Sequence, residues 1–348
     1  MGLRICIGAV QVPFVRGGAE MLVESLRTAL VERGHTVDVV TLPFKWYPSR
    51  QVVSHALAWR LLDVTESQGR PIDLFIPTKF PAYLARHPNK VTWLFHQFRQ
   101  AYDLDESAFK ELTETPEDEW VKRKVRALDG SALPESRAIY TIARNVSNRL
   151  LRYNSIPSAT LYPPPPLADR YSCRGYEPFV LSVGRLEAIK RVDLLLRALA
   201  VSRGGLRCVI AGTGPEETGL RALAKDLGVD RRVEFAGFVP AERLLELYAR
   251  CGMVYYAPYD EDYGFVTLEA LRSSKPVVTT VDAGGVLEFI RNEETGLVVD
   301  PEPAAVAAAL VRLAGDPEDA ARMGKRGRAE VADISWDRVL EGLLATAP

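Results

Sequence analysis

Two glutamates separated by seven residues bracket a turn between a predicted strand and a predicted helix. They are Glu261 and Glu269 in the stretch APYDEDYGFVTLEA at 257–270, where Gly264 marks the turn and the helix begins near Phe265. Carboxylates can hold a metal, move protons or accept hydrogen bonds from substrate hydroxyls, and this stretch alone leaves all three roles open. Both side chains can face one crevice at the strand ends, because Glu261 lies in the turn and Glu269 lies about one helical turn inside the helix.

Asp260 and Asp262 flank the first glutamate and form a D-x-D pattern that suggests a metal. However, no neighbouring histidine or clustered carboxylate completes an obvious ligand set, and acidic turn residues commonly cap helices or meet solvent. An exposed turn explains these two aspartates, but it explains Glu269 less well, since that residue lies in an apolar helix. We therefore predict no metal site here.

Two cations form a second candidate site. Arg185 and Lys190 follow a predicted buried strand and Gly184 in FVLSVGRLEAIKRVDLLLRALA at 179–200. At the carboxyl end of a parallel strand, a planar guanidinium and a mobile ammonium group suit a diphosphate. The alternative is a pair of solvated surface cations, which is how most such charges occur.

A glycine pair, Gly17 and Gly18, separates a predicted strand from a helix that begins near Ala19 in QVPFVRGGAEMLVESL at 11–26. The glycines allow close approach to the backbone, and a helix N-terminus suits an anion, so a phosphate loop and a plain tight turn are equally consistent with the pattern. Asp38 stands about 20 residues on, where a dinucleotide fold places a ribose-binding acid, but the G-x-G-x-x-G spacing is missing. We expect Asp38 to be a loop or strand-end residue.

The composition is typical of a soluble globular protein with two domains. The chain has 348 residues, 47% hydrophobic and 26% charged, with a formal net charge of −1. No domain is strongly basic, so we expect no nucleic-acid partner. The cysteines form no C-x-x-C pair, and we expect buried free thiols rather than zinc ligands or disulfides. They are Cys6, Cys173, Cys208 and Cys251.

Short β-branched runs alternate with longer helical patterns in both halves of the chain. This alternation predicts βαβ units, parallel sheets and two doubly wound α/β domains. Four consecutive prolines at 163–166 favour an extended linker, so we predict one domain over 1–168 and a second over 169–334.

The N-terminal sequence MGLRICIGAV indicates a first strand rather than a signal peptide, and no run reaches roughly 18 apolar residues. We expect a cytoplasmic location. Peripheral contact with the inner face of a membrane stays open.

Together these motifs resemble the retaining glycosyltransferases of family 4, also described as glycosyltransferases group 1. The resemblance covers nearly the whole chain and rests on the joint occurrence, in this order, of GGAE at 17–20, VGRLEAIKRVDLLLRA at 183–198, IAGTGPE at 210–216, EDYGFVTLE at 261–269 and GGVLEFI at 284–290.

The resemblance implies the GT-B fold, in which two Rossmann-like doubly wound domains face each other across a cleft. Domain 1–168 would lie on the acceptor side, domain 169–334 would bind the donor, and a C-terminal helix over 335–348 would pack back on the first domain. The implied reaction moves a hexose-type sugar from a nucleotide-diphosphate sugar to an acceptor with retention of configuration and without a metal.

The resemblance also implies roles for matched residues of the second domain. Arg185 and Lys190 would bind the donor diphosphate and stabilise its leaving charge. Glu261 would accept hydrogen bonds from the donor sugar, and Glu269 from the ribose. Further donor contacts are expected from the backbone of Gly264, Phe265 and Val266, and from the loop around Val239 near the base.

In the first domain, Gly17 and Gly18 match the family's glycine loop, which approaches the diphosphate and sugar from the opposite side. His96 follows the predicted strand VTWLF, where the family places a histidine near the donor sugar. The expected catalytic residues are thus His96, Arg185, Lys190 and Glu261.

Two positions depart from the family pattern. In RSSKPVVTT, Ser274 and Lys275 stand before Pro276 where a glycine is usual, and we expect only the local turn to differ. Arg191 follows Lys190 where the family commonly has glycine, and we expect it either to touch the phosphate or to point outward.

No cofactor is expected, since the nucleotide-diphosphate sugar, UDP- or GDP-linked, is a co-substrate. The acceptor would be a glycan, a lipid-linked molecule or a small molecule. One alternative is a catalytically silent GT-B subunit that binds nucleotide or a partner, although the intact set of cations and glutamates argues against it. A sugar-nucleotide epimerase is the other, and the spacing of the two glutamates disfavours it.

Overall fold

The computed structural model describes residues 2–15, 17–202 and 205–347. The chain divides into two compact units. Unit 1 comprises Met1–Pro166 and Ile334–Pro348, and unit 2 comprises Leu167–Asp333.

Unit 1 contains two three-stranded parallel sheets and a short antiparallel hairpin. The first sheet has the order β2-β1-β5 and the second β6-β7-β8, and a parallel bridge between Phe75 and Lys90 joins them. All residues of β1 except the first and the last are buried, as expected for a strand covered on both faces. The strands are β1 (Arg4–Gln11), β2 (Thr36–Pro43), β3 (Glu66–Ser67), β4 (Arg70–Pro71), β5 (Leu74–Pro77), β6 (Val91–Leu94), β7 (Ala138–Thr141) and β8 (Ala159–Thr160).

The helices of unit 1 follow their apolar spacing. In the first helix Leu22, Leu26 and Leu30 recur every four residues and are buried. The helix at the C-terminus packs on this unit, where the ring of Trp336 contacts that of Trp93 edge-on at 6.1 Å. The helices are α1 (Gly18–Glu32), α2 (Arg50–Leu61), α3 (Pro116–Ala132), α4 (Arg144–Asn154) and α11 (Trp336–Leu344).

Unit 2 is built on a six-stranded parallel sheet with the order β11-β10-β9-β12-β13-β14. The chain builds outward from β9 in one direction and then returns to its other side, so the topological switch point lies between β9 and β12. The strands are β9 (Glu177–Val183), β10 (Arg207–Ala211), β11 (Val233–Gly237), β12 (Cys251–Tyr255), β13 (Val277–Thr280) and β14 (Gly296–Val299).

Helices cover this sheet and bury its apolar residues. Leu195 and Leu196 of α5 share one core cluster with Ile210, Met253 and Leu310, which come from two strands and another helix. The helices are α5 (Val192–Val201), α6 (Glu217–Asp226), α7 (Ala241–Arg250), α8 (Phe265–Arg272), α9 (Pro303–Gly315) and α10 (Pro317–Glu330). Across the described ranges, no helix combines the length and hydrophobicity that crossing a membrane requires.

Two predictions about single residues need correction or refinement. Asp38 is neither a loop nor a strand-end residue, because it is the third residue of β2, an edge strand. Among the cysteines, Cys6, Cys208 and Cys251 are buried, whereas Cys173 is only half-buried.

Candidate functional site

The loops that follow β9 and β12 meet at the switch point of unit 2, because these strands pair in parallel and end at the same edge. Gly184 follows β9 with a φ of 144°, a conformation that favours glycine. Arg185 comes next, and its guanidinium is half exposed and lies 2.8 Å from a carboxylate oxygen of Glu187. Lys190 ends the short 3-10 turn before α5.

Lys190 and Glu261, predicted separately from two motifs, are brought into direct contact. The lysine Nζ donates a short hydrogen bond to Glu261 Oε2, and the hydroxyl of Tyr256 donates to the same oxygen at 2.8 Å. Burial acts to raise the pKa of Glu261, but the charge and hydrogen bond of Lys190 outweigh it and hold that pKa below its usual value. The carboxylate is therefore ionised and fully engaged by a cation and a phenol.

Glu269 lies in a different environment from Glu261. Its side chain is buried in α8, and the hydroxyl of Tyr248 donates to Oε2 at 2.6 Å, with Tyr171 as a second hydrogen-bond partner. Burial raises the pKa of Glu269, and the two tyrosines only partly offset this effect. The environments of the two glutamates therefore differ: Glu261 is paired with a cation, whereas Glu269 is held by two hydroxyl donors.

The expectation that Arg191 points outward was wrong, because its side chain is only 14% exposed. Its contact with the phosphate stays a prediction. Its NH1 and NH2 groups bind the two carboxylate oxygens of Asp282 at 2.9 and 2.8 Å. Its Nε and NH2 also donate to the carbonyl oxygens of Ala257 and Pro258 at 2.8 and 2.9 Å. Arg191 thus joins the loop after β12 to the loop after β13 and positions the segment that carries Glu261.

The turn before α8 requires glycine. Gly264 precedes the helix with a φ of 79°, and a Cβ there would lie 2.8 Å from the ring of Tyr256. Phe265 and Val266 begin α8, and the N–H groups of a first helical turn have no partner within the helix. These N–H groups stand on the same segment as Glu261.

Val239 lies further along the sheet, in the loop between β11 and α7. Its neighbour Phe238 is 82% exposed. The structure places Val239 at the same strand ends as the cluster around Lys190, two strands away from β9.

In unit 1, Gly17 and Gly18 stand at the start of α1, one residue earlier than predicted for the helix. The Gly17 N–H donates to Glu20 Oε2 at 2.8 Å, and Lys79 Nζ lies 3.1 Å from Glu20 Oε1. Burial raises the pKa of Glu20, but the charge and hydrogen bond of Lys79 are among the effects that lower it overall. The carboxylate of Glu20, three residues further along the chain, thus closes the glycine turn.

His96 lies just beyond β6, as predicted. Its Nδ1 donates to the backbone oxygen of Gln97 at 2.8 Å, which orients the ring. Gln97 Nε2 in turn donates to Asn154 at 2.6 Å, and Asn154 donates to the hydroxyl of Tyr102 at 3.1 Å. Tyr102 donates to the buried Asp129 at 2.8 Å, so a continuous polar network supports the His96 loop.

Sequence reasoning missed the side chains that hold the predicted ones. Tyr256, Tyr248 and Tyr171 orient the glutamates, and Asp282 fixes Arg191. The run MVYYAPY identified an apolar strand, but nothing in it distinguished a tyrosine with a hydrogen-bonding task from one that only packs.

Within residues 2–15, 17–202 and 205–347, no group of three or more His, Cys, Asp or Glu side chains could hold a metal ion. Asp260 adopts a φ of 40°, and its N–H donates to the backbone oxygen of Asp282 at 2.8 Å. The D-x-D pattern therefore forms part of the turn that positions Glu261.

Comparison with known sequences identifies similarity in the second half of the chain. Residues 170–330 match the family described as Glycosyl transferases group 1. A D-inositol 3-phosphate glycosyltransferase from Nocardia farcinica is 39% identical over 180 residues, which cover 48% of this chain and 40% of that protein. The chain therefore spans about two fifths of the length of this relative.

Comparison with solved structures covers the whole chain. A sucrose-phosphate synthase from Thermosynechococcus elongatus superposes with a TM-score of 0.79 at 19% identity, covering 98% of both chains. The protein HepE from Anabaena, solved with UDP and glucose, superposes with a TM-score of 0.70 at 17% identity, again over 98% of both chains. These similarities confirm the predicted GT-B fold.

Proposed function

Since residues 170–330 match the family described as Glycosyl transferases group 1, we propose that this protein is a retaining glycosyltransferase. It moves a hexose-type sugar from a nucleotide-diphosphate sugar to a glycan, lipid-linked or small-molecule acceptor. The observation that carries the proposal is the cluster of Lys190, Glu261 and Tyr256 at the switch point of unit 2.

The cations of this cluster suit a diphosphate. The Arg185 guanidinium is half exposed and pairs with Glu187, and a solvent-exposed ion pair of this kind is weak, while Lys190 is 19% exposed. An incoming diphosphate can bind both side chains and, together with the first-turn N–H groups of α8, neutralise the charge that develops as the glycosidic bond breaks. This arrangement supplies the stabilisation for which other transferases use a metal.

The glutamates divide the recognition of the donor. Glu261 is ionised beside Lys190, and an ionised carboxylate accepts strong hydrogen bonds from sugar hydroxyls. When a diphosphate draws Lys190 away, a sugar hydroxyl replaces the lysine on Glu261. Glu269 is deeper, and Tyr248 and Tyr171 fix its carboxyl group for the ribose hydroxyls.

The reaction proceeds on one face of the sugar. The acceptor hydroxyl attacks the anomeric carbon from the side that the diphosphate leaves, and a phosphate oxygen of the leaving group takes the hydroxyl proton. The carbon–oxygen bond to the diphosphate breaks and the bond to the acceptor oxygen forms on the same face, so the configuration is retained. The ring of His96 in unit 1 is held by its hydrogen bond to the backbone oxygen of Gln97, and we propose that His96 acts on the donor sugar.

The donor is UDP- or GDP-linked, and the HepE structures with UDP and with UDP-glucose support the first of these bases. We do not assign the acceptor of the Nocardia relative to this protein, because the match covers less than half of either chain. The nucleotide sugar acts as a co-substrate, and no further cofactor takes part.

A donor panel tests the proposal. The purified chain is incubated with UDP-, GDP- and ADP-linked hexoses, and release of the nucleoside diphosphate is measured with and without candidate acceptors. We expect release from one donor class and its loss in Lys190→Ala. The matched control is Lys225→Ala, which removes an exposed lysine in the last turn of α6 and should leave release unchanged.

Glu261→Gln separates binding from chemistry. We expect turnover to fall on the order of a hundredfold, because a hydrogen bond that strengthens in the transition state is weakened. Nucleoside diphosphate affinity, measured by calorimetry, should not fall, since that ligand does not reach Glu261 and a weaker pair with residue 261 leaves Lys190 more available to it. Binding without release from any donor would instead support a silent subunit, and interconversion of donor epimers without acceptor would support an epimerase.

A further inference from the structure

A groove of about 480 Å³ opens on unit 2 at the opposite end of the sheet from the candidate site. It lies where β9, β10 and β11 begin, and α7 forms one of its walls. The loops that carry Lys190 and Glu261 follow the carboxyl ends of β9 and β12 instead. The groove is therefore separate from the candidate site, and the inference drawn from it does not depend on the proposed transferase activity.

One face of β10 and β11 is open at this end. Cys208 and Val233 point into the core cluster of unit 2. Since successive side chains of a strand point to opposite faces, Arg207, Val209 and Glu234 lie on the other face. Arg207 and Glu234 are exposed there and Val209 is partly exposed, so a ligand can reach this part of the sheet from solvent.

The side chains that line the groove carry an excess of positive charge. The cations are Arg207, Arg231, Arg232, Arg243 and Arg250. The anions are Glu177, Glu234 and Glu246. Five arginines against three glutamates leave an excess of two positive charges, whereas the whole chain has a formal net charge of −1. The groove therefore favours an anionic ligand.

Two of the glutamates are already paired along the wall formed by α7. Glu177 Oε1 accepts a hydrogen bond from Arg250 Nε at 2.6 Å. Glu246 carboxylate oxygens lie 3.5 Å from Arg250 NH1 and 3.4 Å from Arg243 NH1. These contacts orient the two arginines of α7 and balance their charges.

The arginines of β10 and of the turn before β11 are less engaged. Arg232 NH2 donates to the backbone oxygen of Leu199 at 2.8 Å, a contact that does not neutralise its charge. Arg207 and Arg231 are exposed, and no carboxylate of a described residue forms an ion pair with either of them. Glu234 is the remaining carboxylate of the lining and can offset one of these three charges. The excess charge is therefore located on this side of the groove.

We propose that this groove binds a phosphate monoester and that Arg207 and Arg231 hold its phosphate. A phosphate monoester carries about two negative charges at neutral pH, which matches the excess charge of the lining. The planar fork of a guanidinium binds phosphate oxygens through paired hydrogen bonds.

The size of the groove indicates a ligand larger than an inorganic ion. Sites for small organic ligands measure about 300–1,000 Å³, and the groove lies within this range. Phe179, Val209 and Leu247 supply apolar lining for the organic part of the ligand. Phosphate monoesters occur on soluble small molecules and as the headgroup of phosphatidic acid, so the experiment includes both sources.

Phenyl phosphate is the soluble probe. It is titrated into the full chain at low ionic strength and its binding is followed by calorimetry, with inorganic phosphate and phenol as comparisons. We expect saturable binding of phenyl phosphate, weaker binding of inorganic phosphate and no binding of phenol, because the arginines recognise the phosphate and the apolar lining adds the contact with the ring.

Arg207→Ala and Arg231→Ala locate the site. Each should weaken phenyl phosphate binding about tenfold, since hydrogen bonds to a charged group are lost. The matched control is Arg197→Ala, which removes a half-exposed arginine of α5 and should bind like the wild type. Lys190→Ala should retain the binding that the first two variants lose, because Lys190 belongs to the candidate site.

Vesicles test the lipid source. Sedimentation with phosphatidylcholine vesicles, with and without phosphatidic acid, measures binding to the headgroup. Binding that requires phosphatidic acid and is lost in Arg207→Ala supports the proposal and assigns the phosphate to a membrane lipid. Phenyl phosphate binding without vesicle binding supports it and assigns the phosphate to a soluble ligand.

Several results would overturn the inference. They are no saturable binding of either phenyl phosphate or phosphatidic acid vesicles, equal binding of phenol, unchanged affinity in folded Arg207→Ala and Arg231→Ala, or loss of all binding in Lys190→Ala. The last result would place the phosphate in the candidate site. Arg207→Gln and Arg231→Gln keep most of each side chain and replace an alanine variant that does not fold.

Discussion

A buried aspartate in unit 1 makes stability depend on pH in an unusual direction. Asp129 lies in α3 and is 0% exposed, and the hydroxyls of Tyr83 and Tyr102 donate to its two oxygens at 2.7 and 2.8 Å. Burial raises the pKa of Asp129 to about 7, and the hydrogen bonds from Tyr83, Tyr102 and Gln97 offset only part of this rise.

The sign follows from proton binding. Because the pKa in the folded state exceeds the ordinary value of 3.8, the folded chain holds a proton between these pH values that the unfolded chain has released. Stability from this group is therefore present at low pH and is lost as pH rises from about 4 to about 7. A rise from 3.8 to about 7 corresponds to about 4 kcal/mol, since one pKa unit is worth 1.36 kcal/mol.

Asp129→Asn removes the titration and keeps the shape. We expect the free energy of unfolding of the variant, relative to wild type, to increase by about 4 kcal/mol between pH 4 and pH 8. The measurement is urea unfolding at four or more pH values, followed by circular dichroism and by tryptophan fluorescence. The difference between the two proteins at each pH removes the titrations that they share.

Asp105→Asn is a control of opposite sign. Burial acts to raise the pKa of Asp105, but hydrogen bonds and charges from Lys122 and Lys110 lower it overall. This variant should lose stability at neutral pH, and the loss should fade as pH falls below about 4. Parallel pH profiles for wild type and Asp129→Asn would refute the reasoning, because they would mean that Asp129 titrates alike in both states.

Three further predictions concern unit 2. A lysine at position 191 cannot keep both bonds to Asp282 together with the two contacts to backbone carbonyls. The free energy of unfolding of Arg191→Lys should therefore fall by about 1.5–3 kcal/mol in denaturant titrations. An unchanged value would contradict the positioning role of Arg191. Gly264→Ala places a Cβ 2.8 Å from the Tyr256 ring at a φ of 79°, so the free energy of unfolding should fall by about 1–3 kcal/mol. Gly219→Ala, with open space around the added Cβ, should show no loss of stability in thermal unfolding. EDTA should leave nucleotide release from the donor unchanged, because in the proposed mechanism Arg185 and Lys190 neutralise the diphosphate. Complete loss that a divalent ion restores would show that a metal is required.

Periodicity and turn residues predicted most of the fold. The six-residue apolar run within β1, the four-residue spacing of Leu22, Leu26 and Leu30 in α1, and the alternation of such elements all follow from local rules. The short strands β3, β4 and β8, of two residues each, escaped prediction because two residues show no period.

The candidate site was only partly predictable. Glu261 and Lys190 were identified from motifs far apart in the chain, and parallel pairing of β9 with β12 brings them into contact. Tyr256 and Asp282 gave no signal, since a tyrosine in an apolar strand and an aspartate in a loop are common whether or not they bind anything.

The charges show where sequence reasoning ends. By itself the sequence determined the two α/β domains, the positions of the strand-to-helix turns and the identity of the polar groups at those turns, because these depend on neighbours along the chain. Only the tertiary structure decided which charges meet. It turned Arg191 inward onto Asp282 and buried Lys275 against Cys173, because burial and partnership depend on residues 91 and 102 positions away in the sequence.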